Sequence, residues 1–300
     1  MLPQLEVARR FRWSNLRDGF GLALWGAFKK VAIADTLAPY VDKAFLLDDP
    51  AGPVVWAATT GFMLQLYADF SGYTDLARGT ARMLGIDLVR NFDEPYLAAT
   101  TQEFWQRWHI SLSTWIRDYL LTPLLGNAAE IGPARFVFAV TVTMVVMGLW
   151  HGAGWNFVLF GLFQAAAIGG YALAQRHLPE RVRTLRYGRT LAAAFHLLVV
   201  GELGALLFRE HSVARIVQHL SKSPFAADAD EWRVAVALLA IAAVLNVPLV
   251  IEHVVRRRVL PALEESEWLL PIQTTVWSLY MVGIGVAYRE TGADFIYFQF

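Results

Sequence analysis

The chain has 300 residues, of which 56% are hydrophobic and 17% charged, and its mean hydropathy is +0.40. Water-soluble domains carry about 25% charged residues, so this composition excludes an ordinary soluble domain, and 13% aromatic residues exclude a disordered chain. Basic and acidic residues balance at 26 each, which removes the electrostatic case for nucleic acid, and the lack of cysteine excludes disulfides, thiolate nucleophiles and cysteine-bound metals.

An integral membrane protein is the class that remains. A helix needs roughly 20 apolar residues to cross the hydrocarbon core. The opening Met-Leu-Pro-Gln-Leu-Glu lacks a basic region followed by an apolar run, so no signal peptide is expected. Phe20 to Leu47 is apolar but holds Lys29, Lys30 and Asp35, which suits a re-entrant or interfacial helix as well as a span. Asp48 to Pro53 reads as a turn. Val54 to Arg82 is long enough to cross, yet carries Asp69 and Asp75. Between Glu103 and Tyr119, residues Phe104, Trp108, Ser111, Trp115 and Tyr119 recur at helical spacing, which predicts one helix lying at the membrane interface. Further spans are predicted at Phe136 to Trp150, Gly154 to Ala174, Thr190 to Phe208, Val234 to Ile251 and Leu270 to Tyr288.

The expected fold is therefore all-α: a polytopic integral membrane helical bundle of five to seven spans, with interfacial or re-entrant helices. No repeat or linker divides it, so residues 1–300 read as a single domain. The basic loop from Arg176 to Arg189 and the Arg256-Arg257-Arg258 run are separated by two spans and share a side, which the positive-inside rule makes cytoplasmic.

Three polar features could carry chemistry. Tyr67-Ala-Asp-Phe-Ser-Gly-Tyr-Thr-Asp75 places two carboxylates in an apolar helix, where ions face a bundle interior or an aqueous cavity. The favoured reading is that Asp69, Ser71 and Asp75 lock helices together through arginines such as Arg78 or Arg107. His109 lies among interfacial tryptophans that need no imidazole nearby, so a structural and a chemical role stand side by side. His151, in Gly148-Leu-Trp-His-Gly-Ala-Gly-Trp-Asn156, sits between two spans and is bracketed by glycines. It reads either as a satisfied histidine of a packing motif or as a general base near neutrality.

Absences narrow the field. There is no Gly-x-Ser-x-Gly elbow, no His-Glu-x-x-His or cysteine/histidine cluster, and no Gly-x-Gly-x-x-Gly or Walker sequence. An α/β-hydrolase nucleophile, a dedicated zinc or other metal site, and a dinucleotide or ATP fold are not expected.

Taken in order, Tyr67–Asp75, Asn91-Phe-Asp-Glu-Pro-Tyr96, Glu103-Phe-Trp-Gln-Arg-Trp-His-Ile-Ser-Leu-Ser-Thr-Trp115, Arg117-Asp-Tyr119 and Gly148-Leu-Trp-His-Gly152 resemble the membrane-bound O-acyltransferase family. The ending Phe295-Ile-Tyr-Phe-Gln-Phe300 is more similar to its alginate O-acetyltransferase branch than to the teichoic-acid D-alanylation branch. The strongest match covers roughly Leu2 to Ala174. The resemblance implies a catalytic histidine at His151 and a second functional histidine at His109. It further implies that an acetyl group passes from a thioester, acetyl-CoA, through a tunnel in the bundle toward hydroxyls of an exported polysaccharide.

Under that resemblance Trp150, Asn156, Asp69, Asp75 and Arg107 are further candidates for substrate or tunnel contacts, and Asn156, Trp150 or His109 for oxyanion stabilisation. No bound cofactor beyond the acetyl-CoA donor is implied. The expected partners are the lipid bilayer and the polysaccharide or a periplasmic acetyl-accepting protein, and the expected location is the bacterial inner membrane. Relatives carry several more helices upstream, so the chain is expected to be a fragment, a truncated product or a product of a mis-assigned start. Leu120-Leu-Thr-Pro-Leu-Leu-Gly126-Asn127 is followed by Ala128, Ala129 and Glu130 where the branch has a basic stretch. D-alanyl or other acyl transfer in the same fold, a non-catalytic scaffold, and a transporter using Asp69, Asp75, His109 and His151 are the competing readings. Inverted repeats would support a transporter, and none is found in the sequence.

Overall fold

The computed structural model describes residues 12–126, 131–177, 188–259 and 269–288, with the isolated positions Gln4, Glu6 and Ser266. Most of these residues are helical and none lies in a strand, so the all-α expectation holds. Among them, five helical stretches are long and apolar enough to cross a membrane: Pro133–Trp150, Trp155–Ala174, Gly188–Arg209, Ala229–Val259 and Leu269–Ala287. The chain is a multi-pass membrane protein. The five coincide with the five predicted spans from Phe136 onward. The basic loop that carried the orientation argument falls largely on residues 178–187, outside the described residues, as do the 127–130 segment and the 295–300 ending.

The contacts divide the chain into two compact units, one formed by residues up to Val89 together with those from Pro224 to Gln299, the other centred on Arg90 to Ser223. In the first unit, helix Trp13–Phe28 packs on the 32-residue helix Gly52–Met83. Small residues let these backbones approach: a Cβ on Gly26 would lie 2.6 Å from the Gly72 carbonyl oxygen, and one on Gly19 would lie 2.6 Å from that of Gly79. Two glycine pairs thus set the crossing. Beyond Phe28 the chain widens into a π-helical segment, Lys29–Ala34, before resuming as Asp35–Phe45.

That segment delivers both lysines to the carboxylates of Gly52–Met83. Lys29 Nζ lies 2.7 Å from Asp75 and donates to Ser71 Oγ at 2.9 Å. Lys30 Nζ lies 2.7 Å from Asp69 and 2.8 Å from Asp35. Arg78 adds a contact to Asp75 at 3.0 Å. Three cations therefore face three carboxylates, which is how buried charge is kept at tolerable cost. The expected helix lock is present, but lysines supply most of it. Arg78 takes the part anticipated for it, whereas Arg107 pairs with Glu103 in the other unit. Burial pushes the Asp35 carboxyl up from its ordinary value, although Lys30 beside it pulls the other way.

The Ala229–Val254 helix starts on a capping box, in which Asp228 accepts from Asp230 and Glu231 backbone N–H groups and Glu231 accepts from Asp228. Inside it, Asn246 Nδ2 donates to the Ala242 carbonyl at 2.8 Å, which satisfies one polar group of an otherwise apolar run.

Candidate active site

Both candidate histidines lie in the second unit, each at a break between helices. The segment read as one interfacial helix is two: Thr101–Arg107 and Ile110–Ile116, separated by extended Trp108 and by His109 at φ 44°, ψ 55°. The first helix is capped by Thr100, whose Oγ1 accepts the Glu103 N–H at 3.0 Å, while Glu103 accepts the Ala99 N–H at 2.9 Å.

Left-handed backbone is uncommon for a residue with a Cβ, and the loop before the helices holds His109 in it. Asn91 receives the start of the second helix twice: its carbonyl accepts the Ile110 N–H at 3.0 Å and its Oδ1 accepts the Ser111 N–H at 3.0 Å. The Asp93 N–H donates to the Arg107 carbonyl at 2.9 Å. Periodicity could not reveal this break, because residues on both sides of it have ordinary helical character. The competing partners come from a loop earlier in the chain. As a result Trp108 is buried among Phe92, Tyr96 and Phe104, with ring centroids at 4.9, 6.1 and 5.4 Å, whereas Trp115 and Tyr119 are exposed. They no longer form one stripe.

Arg107 braces the same loop. Its Nη2 lies 2.7 Å from Glu103 and its Nη1 donates to the Asp93 and Glu94 carbonyls at 3.4 and 3.5 Å. Glu103 also holds Arg189 of the Gly188–Arg209 span at 2.5 Å. Partial burial pushes the Glu103 carboxyl up, but the Ala99 N–H and the two arginines outweigh it and hold the group below its ordinary value.

His151 follows the last residue of Pro133–Trp150 and precedes the turn into Trp155–His177. The two helices form a close hairpin: a Cβ on Gly148 would meet the Phe157 carbonyl oxygen at 2.1 Å, and one on Gly161 would meet that of Met144 at 2.4 Å. Gly152 is required for a different reason, since a Cβ there would fall 2.5 Å from the Phe157 ring. The glycine of the Trp-His-Gly sequence thus makes room for an aromatic wall of the histidine.

The His151 ring is buried among aromatics. Trp150 lies 5.0 Å away at 89°, Phe208 4.8 Å at 75° and Phe157 6.3 Å at 31°. The His109 ring packs on the same Trp150 at 5.8 Å. Trp150 therefore joins the two histidines while leaving about half of its own surface open, at 52% exposure. Burial pushes the His151 imidazole well below its ordinary 6.5, and the nearby His109 adds to the effect; burial does the same to His109. Burial thus favours the neutral form of both rings.

Asn156 is 1% exposed, and its Nδ2 donates to the Leu207 carbonyl at 3.4 Å. One amide hydrogen is thereby spent on tying the hairpin to the helix Glu202–Arg209. Asp69 and Asp75 belong to the first unit, in the lysine pairs described above. The structure thus brings together His109, Trp150 and His151, places Asn156 and Arg107 in the supporting scaffold, and gives the two aspartates to a separate unit. Phe157 and Phe208 escape sequence reasoning, because an apolar residue in a span carries no mark of what it touches. Among the described residues no group of three or more histidine, aspartate or glutamate side chains could hold a metal ion.

The family model for MBOAT, the membrane-bound O-acyltransferase family, matches residues 3–194, a stretch that contains both histidines. The chain belongs to that family. It is 42% identical over 185 residues to a probable alginate O-acetylase of Azotobacter vinelandii, covering 61% of this chain and 36% of that protein. It is 39% identical over 198 residues to a probable alginate O-acetylase of Pseudomonas aeruginosa, covering 65% and 36%. A peptidoglycan O-acetyltransferase of Helicobacter pylori is 38% identical over 175 residues, covering 56% and 32%. The match to each of these bacterial relatives spans about a third of the relative's length.

Proposed function

We propose that this chain forms the acyl-transfer centre of a membrane O-acyltransferase, which moves an acetyl group from acetyl-CoA toward hydroxyls of an exported polysaccharide such as alginate, directly or through a periplasmic acetyl-accepting partner. The observation that carries the reading is that His151, which is buried, and His109, which is partly buried, pack on one half-exposed tryptophan. A general base must be unprotonated and close to the hydroxyl it serves. Desolvation keeps the His151 ring neutral at the working pH.

His151 accepts the proton of the acceptor hydroxyl as that oxygen bonds to the thioester carbonyl carbon. The carbonyl electrons move to oxygen, giving a tetrahedral oxyanion. Collapse breaks the carbon–sulfur bond, and the departing thiolate takes the proton from the His151 imidazolium, leaving ester, thiol and neutral base. An N–H of neutral His109 is the donor assigned to the oxyanion, since a desolvated, preorganised donor acts most strongly there. Trp150 and Asn156 remain substrate-side candidates, and Arg107 acts by bracing the loop that sets His109.

The test compares polysaccharide O-acetyl content in cells carrying the wild-type chain or His151→Ala at matched membrane abundance. Loss in the variant supports the proposal. Equal, non-zero acetylation would overturn the role of His151, and no acetylation with either protein would overturn the activity assigned to this chain. D-alanyl transfer would appear as product from a D-alanyl thioester and none from acetyl-CoA.

A further inference from the structure

We propose that Phe208 is the positioning residue for His151, holding the imidazole in one orientation from the far end of another span. The inference rests on His151 being the base, and its evidence is geometric. Phe208 sits in the last turn of Glu202–Arg209, is 5% exposed, and brings its ring centroid to 4.8 Å from that of His151 at 75°.

Phe208 is itself fixed from several directions. Phe157 and Phe160 meet it edge to face, each with centroids 5.4 Å away, at 75° and 74°. The carbonyl of the preceding Leu207 accepts from Asn156, and Leu206 is fully buried. The helix then stops at once. Glu210 leaves the helix with extended backbone, and its carboxylate accepts the Ser212 N–H at 3.0 Å and the Arg215 Nε–H at 2.9 Å.

His151 needs such a neighbour. It lies at a helix end, where the chain turns through Gly152 and Gly154, and rotation about the bond to an imidazole ring is intrinsically broad. Trp150 supplies one wall but is half exposed, and Phe157 lies farther off. Phe208 meets the ring edge to face at 4.8 Å. It restricts the ring and keeps water from that face, so that a basic nitrogen is presented in one direction. This explains why a phenylalanine outside every recognised motif lies against the Trp-His-Gly sequence.

The test uses the whole chain in detergent or nanodiscs, with Phe208→Leu, Phe208→Tyr and His151→Ala. Diethyl pyrocarbonate modification, followed histidine by histidine by mass spectrometry, reads the freedom of each ring without needing activity. In Phe208→Leu the His151 rate is expected to rise several-fold while the rates of buried His196 and His219 hold. In acetyl transfer kcat is expected to fall about 10- to 100-fold with KM little changed, the effect of a misplaced catalytic group. Phe208→Tyr, which keeps the ring, is expected to restore most of both.

An unchanged His151 rate in Phe208→Leu would overturn the inference, as would a KM rise with kcat intact. A rise at all histidines signals unfolding; Phe208→Met, which fills more of the space, then replaces the leucine variant under the same criteria. Retained activity in His151→Ala would sink the catalytic reading instead, and the modification rates would still decide whether Phe208 positions the ring.

Discussion

Lys30 is the most exacting place to test the internal physics of the first unit. Replacing it with methionine keeps a long apolar stem and removes the ammonium that sits 2.7 Å from Asp69 and 2.8 Å from Asp35. The Lys30 and Asp69 side chains are 10% and 4% exposed, so water can replace little of the lost interaction. Breaking a buried pair typically costs about 3–5 kcal/mol. One lysine here compensates two carboxylates, which places the expected loss near the top of that range, about 5 kcal/mol at pH 8.

Protonation limits the damage in a predictable direction. Burial already pushes the Asp35 carboxyl up, with Lys30 opposing, and losing Lys30 removes that opposition. A carboxyl raised in the folded state favours folding below its unfolded value, and that advantage is lost as pH rises through the raised value. The deficit of Lys30→Met should therefore shrink from pH 8 toward pH 5. Unfolding in detergent micelles, followed by circular dichroism at both values, measures it. Adding Asp69→Asn should recover part of the loss by removing one of the two carboxylates that Lys30 faced. A single variant within about 1 kcal/mol of wild type at pH 8, or a double variant less stable than the single, would refute the reasoning.

The second unit offers three more tests. Gly148→Ala gains about 1 kcal/mol in helix propensity, but its Cβ would meet the Phe157 carbonyl at 2.1 Å and force the hairpin apart; overpacking of about 1–3 kcal/mol should win, and a raised melting temperature would show otherwise. At His109, with φ 44°, glycine should give a protein more stable than alanine by about 1 kcal/mol, while both variants lose acetyl transfer; equal melting temperatures would remove the claim of backbone strain. Because the folded state holds His151 neutral below its ordinary 6.5, acetyl transfer should persist as pH falls through 6.5, with its acid limb lying lower. The same depression means that stability drops as pH falls through the unfolded value near 6.5, so rates must be taken where the protein remains folded. An initial-rate profile with a midpoint at or above 6.5 would contradict a desolvated base.

Membrane insertion and helical class were legible in the amino-acid sequence because both depend on local quantities. Apolar runs of about 20 residues choose helices that cross, and the five runs from Phe136 onward became the five spans. The motif around His151 also marked its own helix end, since Gly152 and Gly154 break an apolar pattern in place. What the tertiary structure alone decided was partnership. Which cations would meet Asp69 and Asp75 could not be read from spacing, because the glycine crossing of Trp13–Phe28 on Gly52–Met83 and the widened turn at Lys29 bring in lysines from far along the chain. The interfacial stripe predicted through Phe104, Trp108 and Trp115 broke at His109 because Asn91 offers the following backbone N–H groups better acceptors than a continued helix does. Phe208 against His151 had no sequence signal at all. Dispersion and ring packing do not depend on order along the chain, so a contact between spans exists only once the helices are assembled.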